Sequence, residues 1–179
     1  MYPVPRLLYQ AWRQRGAPLA LFDTHVSHHL CWPWDLDIFG ELNNGRALTL
    51  YDLGRIPWSA RIGLTATLRE HRWQVAVAGA SVRYRRRVHA FDRILMRTRA
   101  LGWDARFFYV EQSMRLPSGE VASHVLIRSA VSDPGGIVAP ARVLAAMGRP
   151  DLPSPELPPW VRAWIEAEAE RPWPPMQDA

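Results

Sequence analysis

The stretch Asp35-Leu36-Asp37-Ile38-Phe39-Gly40-Glu41-Leu42-Asn43-Asn44-Gly45-Arg46 holds the residues best suited to chemistry in this chain. Three carboxylates precede a pair of asparagines and a glycine, and a helix-period apolar run begins directly after them. A loop carboxylate just ahead of a helix, such as Asp37, can face a group held at that helix's N-terminus and act as its base or nucleophile. It can equally be an acidic neighbour that stabilises the helix start. Asn43, Asn44 and Gly45 supply backbone N–H groups that have no partner within a helix. Such donors polarise a carbonyl and hold the oxyanion that develops from it. Plain capping by an asparagine side chain is the alternative, and the two roles are compatible.

Arg83, Arg85, Arg86 and Arg87 form a basic run at the end of a strand-like segment. Arginines grip phosphates through bidentate hydrogen bonds, and they also protect exposed sheet edges by charge. Asp52, on a polar helical stripe, has Arg55 three residues on, the spacing of a helix-face ion pair. His25 and His29 share one face of a strand but sit ~13 Å apart at ~3.3 Å per residue, and His28 points the other way. No metal site is expected from them. The chain has no Gly-x-Ser-x-Gly elbow, so nothing supports a serine hydrolase.

These groups need a scaffold, and the periodicity supplies one. A short helix is expected after Pro5, ending at Gly16, and a strand over Thr24 to Trp32. From Asn43 to about Glu70 apolar residues cover most of a helix's circumference, which requires burial on several sides. Pro57 should kink or split that helix. Alternation then predicts strands from Trp73 to Arg85, Ile94 to Leu101, Phe107 to Leu116 and Val121 to Val131. Turns are expected at Gly102-Trp103-Asp104 and Pro117-Ser118-Gly119. The result is an α+β fold, an antiparallel sheet of about five strands wrapped around a long central helix. Helices at Ala139 to Met147 and Trp160 to Glu170, joined by a proline-rich crossing, form a tail with a frayed end over 172–179. The expected organisation is a lead-in over 1–20, a main domain over 21–133 and a C-terminal appendage over 134–179.

At 179 residues, 48% apolar and 22% charged, the chain has the proportions of one folded domain. It holds no continuous apolar h-region and no run long enough to span a membrane. The single Cys31 excludes an internal disulfide and points to a reducing, cytoplasmic location. All 22 basic residues are arginine, and the net charge of +5 favours an anionic ligand. The aromatics lie in strand-like positions, so nucleic acid is not expected as a partner.

The run from Trp34 to Arg46 resembles the loop-to-helix motif of hot-dog thioesterases of the 4-hydroxybenzoyl-CoA type, approximately Asp-x-Asp-x-x-Gly-His-x-Asn-Asn. Leu50 to Arg55, Gly79 to Arg86, and Leu101 to Asp104 followed by Phe107 to Gln112 resemble the same family in the same order. The likeness covers roughly residues 22–131, and the tail with Trp160 is similar to the THEM6-type subgroup. It implies a hot-dog fold and hydrolysis of an acyl-CoA thioester to free acid and coenzyme A, without a resident cofactor. It also implies a homodimer, or a dimer of dimers. Asp37, Asn44 and Glu41 become the expected catalytic residues; Asn43, Gly45, Arg83, Arg85 and Arg86 become the substrate-binding ones. Glu41 stands where the family has histidine, a change that either weakens the activity or supplies a second acid–base group. A non-catalytic acyl-CoA-binding or structural hot-dog protein is the competing expectation.

Overall fold

The computed structural model describes residues 3–172 and 174–176; of the expected frayed end, Trp173 and 177–179 lie outside it. Its central element is the helix α2, Asn44–Arg61. Buried Ala47, Leu50, Tyr51, Leu53 and Trp58 pack against Ile94, Met96, Val110, Met114, Val125 and Ile127 of the sheet. Gly54 permits the close approach. A Cβ there would fall 2.4 Å from Met96 Sδ, so a larger residue would require the buried Met96 side chain or the helix to shift.

Of the kink or split expected at Pro57, the split does not occur there. Pro57 is buried within an uninterrupted eighteen-residue helix, and the break comes at Gly63 instead. Gly63 takes φ +91°, a left-handed conformation that glycine adopts without steric cost, and the short helix α3, Leu64–Glu70, follows.

The strands are β1 (His25–Leu30), β2 (Gln74–Tyr84), β3 (Arg93–Trp103), β4 (Phe108–Arg115), β5 (Val121–Asp133) and β6 (Gly136–Val138). They form one antiparallel sheet in the order β1-β3-β4-β5-β2, with β6 paired to β5. The expected turn at Gly102-Trp103 is instead strand, bulged between Ala100 and Gly102. The turn falls on Asp104, whose carboxylate accepts from the N–H groups of Arg106 and Phe107 at 2.7 Å each. C-terminal helices α4 (Pro140–Ala146) and α5 (Pro159–Ala169) flank the sheet, and α5 sets Val161 against Tyr109 and Leu126.

The two sheet edges differ. Along β1 lies the N-terminal helix α1, Val4–Arg13. Arg6 donates to the carbonyl of Leu30, and Gln10 to that of His28 at 3.3 Å. Four residues of helix advance ~6 Å and two residues of strand ~7 Å, so the side chains keep step with the strand's outward carbonyls. Among the described residues no helix runs along the edge of β2 in this way, although α5 brings Trp164 close to Gly79. Every one of the eleven β2 residues is exposed or half-buried, Val75, Val77 and Tyr84 among them. Among the described residues no helix is long and apolar enough to cross a membrane.

Candidate functional site

The start of α2 is built on Asp35, the first carboxylate of the motif. It is 1% exposed and accepts from Arg6 at 2.7 Å, from Arg46 at 3.0 Å and from the Trp32 backbone N–H at 3.0 Å. This carboxylate joins α1, the 3₁₀ turn Pro33–Asp35 and α2 at one point. Sequence reasoning assigned it no role, since Arg6 lies 29 residues away.

Asp37 opens a small loop closed by the bridge between Leu36 and Leu42. Its Oδ1 accepts from the N–H groups of Phe39 at 2.9 Å and Glu41 at 3.3 Å. Gly40, with φ +74°, turns the chain, and Ile38 and Phe39 stand almost wholly exposed at the tip. Among the described residues Asp37 Oδ2 accepts no hydrogen bond, so one carboxylate oxygen is fixed and the other is open.

Asn43 caps α2 through its side chain, which accepts from the N–H groups of Gly45 at 2.9 Å and Arg46 at 3.2 Å. The Gly45 N–H counted among the open donors is therefore occupied, because a capping asparagine consumes the donors a substrate would need. Ala47 N–H is also taken, by the Asn43 carbonyl. Among the described residues the N–H of Asn44 is the donor at this helix start with no partner.

Beside it lies a shallow pocket of about 210 Å³. It brings together Glu41, Asn44, Arg85 and Arg86 with Arg87, Tyr84 and Ser123. Arg83 and Asp37 do not line it. Glu41 pairs with Arg87 at 3.0 Å and Arg86 with Glu120 at 2.8 Å, while Arg85 is exposed just beyond the end of β2. Three guanidinium groups against one lining carboxylate leave the pocket positive, suited to phosphate. Tyr84 donates to the Asn44 carbonyl at 3.5 Å, and burial raises its phenol pKa. Ser123 sits behind, bonded to buried Tyr51 at 2.8 Å. Tyr84 and Ser123 carried no local sequence signal, since strand pairing alone brings them to the helix.

Asp52 forms the ion pair with Arg55 that its spacing suggested. Burial raises its carboxyl pKa, against the lowering influence of Arg55. Arg55 also reaches Gln112 at 2.9 Å, tying this face of α2 to β4.

Residues 31–165 match the thioesterase-like superfamily. The chain belongs to that superfamily. Its curated relatives include the Xenopus laevis protein THEM6, 32% identical over 148 residues, which covers 82% of this chain and 69% of that protein. A probable thioesterase from Bartonella henselae superposes with a TM-score of 0.59 at 15% identity, covering 65% of this chain and 98% of that one. A Thermus thermophilus thioesterase, solved with coenzyme A and zinc, superposes with a TM-score of 0.56 at 25% identity. That alignment covers 74% of this superfamily member and 100% of the other chain. The fold is thus the hot-dog fold, with α2 as the element the sheet wraps.

Proposed function

We propose that this superfamily member hydrolyses an acyl-CoA thioester to the free acid and coenzyme A, with no resident metal or redox group. The observation that carries the reading is the pocket at the start of α2, where the open Asn44 N–H adjoins Arg85 and Arg86. The arginines would take the phosphates of coenzyme A. The thioester oxygen would accept from Asn44, so that the developing oxyanion is held by a fixed dipole. Asp37, on the loop that leads into α2 but outside the pocket lining, would take a proton from water as the water oxygen attacks the carbonyl carbon. The C–S bond then breaks, and the coenzyme A thiolate leaves and is reprotonated.

The site is completed by a second copy in this reading. Edge strand β2, with Val75 and Val77 exposed, would pair with its equivalent across a two-fold axis, and the partner would help cover Ile38 and Phe39. Light scattering should give twice the 20.5 kDa chain mass, and a 20.5 kDa particle at micromolar concentration overturns the dimer. A cytoplasmic location goes with the soluble substrate.

The test of the activity is thiol release from acyl-CoAs of graded chain length. One observation favours a second reading, a protein that binds acyl-CoA without turnover. Glu41, ion-paired to Arg87, occupies the place where the family motif carries an imidazole. Tight binding without thiol release across the whole series would establish that second reading.

A further inference from the structure

A groove of about 1110 Å³ lies beside α1 and shares no lining residue with the pocket at the start of α2. It runs between α1, the β1–β3 side of the sheet and the turn after β4. Tyr9, Trp34, Leu95 and Leu116 give it an apolar, partly aromatic lining. Its volume is at the upper end of ordinary ligand sites, which run to about 1,000 Å³.

The charge in the groove has one sign. Arg13, Arg93 and Arg115 line it, and no aspartate or glutamate does. Arg6 lines it too but is committed to Asp35. The remaining cations are incompletely used. Arg93 is exposed, and Arg115 Nε is buried without a partner while Nη1 donates to the Gly119 carbonyl at 3.3 Å. His29, 4% exposed, also lines the groove and has its Nδ1 buried without a partner. Its Nε2 meets Ser27 Oγ at 2.8 Å. If that nitrogen accepts from the serine, Nδ1 carries the proton and is a donor. These two nitrogens, Arg115 Nε and His29 Nδ1, belong to residues that line the groove but lie beneath its surface, so the groups an occupant can reach are the outer guanidinium nitrogens.

Apolar walls and arginines without a lining carboxylate together favour an occupant with a long hydrocarbon chain and an anionic head. We propose that the groove binds a free long-chain carboxylate from solution, its chain along Tyr9, Trp34, Leu95 and Leu116 and its head on Arg93 and Arg115. Neutral lipids leave the guanidinium groups unpaired, and small anions leave the apolar walls wet. The proposal does not depend on the hydrolytic reading, because no residue of the α2 pocket takes part.

Calorimetry of the full chain with oleate, below its micelle concentration, tests it against oleyl alcohol, which has the same chain without the charge. Oleate should bind at least about tenfold more tightly than the alcohol, the scale of a charge-assisted pair. Arg93→Glu, at an exposed position, should remove that preference while leaving urea unfolding and any acyl-CoA hydrolysis unchanged. Equal binding of the two ligands, or an unchanged oleate affinity in Arg93→Glu, overturns the proposal. A third arm uses vesicles containing anionic phospholipid. Val4, Leu8 and Trp12 are exposed on α1. Retention on vesicles without binding of monomeric oleate would make this face a membrane-docking surface and overturn the free-ligand site.

Discussion

Glu41 Oε1 lies 3.0 Å from Arg87 Nε at the mouth of the α2 pocket. Arg87 is mostly exposed, so the pair adds little to stability, at most about 1 kcal/mol. Its consequence is electrostatic, since Glu41 is the one carboxylate lining a pocket with three arginines. Glu41→Gln should keep the fold, free Arg87 and tighten coenzyme A binding, with a steeper loss of affinity as salt rises. Calorimetry at two ionic strengths reads both effects. Unchanged affinity would place the coenzyme A phosphates away from Arg87.

Asp35 should be the costliest carboxylate to remove. It is almost fully buried between two arginines, so Asp35→Ala removes the carboxylate that both guanidinium groups share. Breaking a buried pair from one side costs about 3–5 kcal/mol, and urea unfolding should show a loss of that order. Because Asp35 also anchors α1 through Arg6, the N-terminal helix should become protease-sensitive. A loss below about 1 kcal/mol would mean that water reaches this cluster.

The contact of α1 with β1 should weaken in acid. Arg61 donates to His25 Nδ1 at 3.0 Å, and His25 Nε2–H donates to Gln14 Oε1 at 2.8 Å. Gln14 in turn donates to Gln10, which donates to the His28 carbonyl. Accepting from Arg61 at Nδ1 requires neutral His25; protonation would set two cations against each other there while leaving the Nε2–H donor in place. Burial, helped by Arg61, lowers its pKa to about 4, and burial with nearby cations lowers His29 to about 3. Both lie below the ordinary 6.5, so the folded state resists protonation while the unfolded chain accepts it. The stability from neutral histidine is fully present above pH 6.5 and declines as pH falls towards 4, at about 1.4 kcal/mol per pH unit for each proton. His25→Gln should make the dependence shallower between pH 6.5 and 4.5. An identical slope in the variant would remove His25 from this account.

The start of α2 was legible in the sequence because its signals are local: an asparagine cap, an apolar helical period and an aspartate-rich approach. The cap's detail was not, since only geometry decides that the Asn43 side chain consumes the Gly45 N–H and leaves that of Asn44. Proline and glycine misled in a related way. Pro57 is a breaker by propensity, yet tertiary burial holds it inside α2, and the left-handed turn at Gly63 ends the helix run. Tyr84, Ser123 and the Arg6–Asp35 pair were invisible because long-range register and packing make them. The large groove has the same origin. Tyr9, Leu95 and Leu116 share nothing in sequence and meet only after α1 has docked along the edge of β1.

Asp37 carries two roles that a pair of substitutions separates. Its Oδ1 organises the loop by accepting from the Phe39 and Glu41 N–H groups. Asn at this position retains a carbonyl oxygen for both bonds but lacks the charge; Ala loses both. Asp37→Asn should therefore unfold like the parent and bind acyl-CoA with similar affinity. Turnover should fall by about 10²-fold or more, in the range of about 10²–10⁴ that general bases contribute. Asp37→Ala should lose the same turnover and also destabilise the loop, since two N–H groups lose their acceptor. Single-turnover thiol release together with calorimetry distinguishes the cases. If Asp37→Asn keeps full activity and only Asp37→Ala loses it, Asp37 shapes the loop and some other group activates the water.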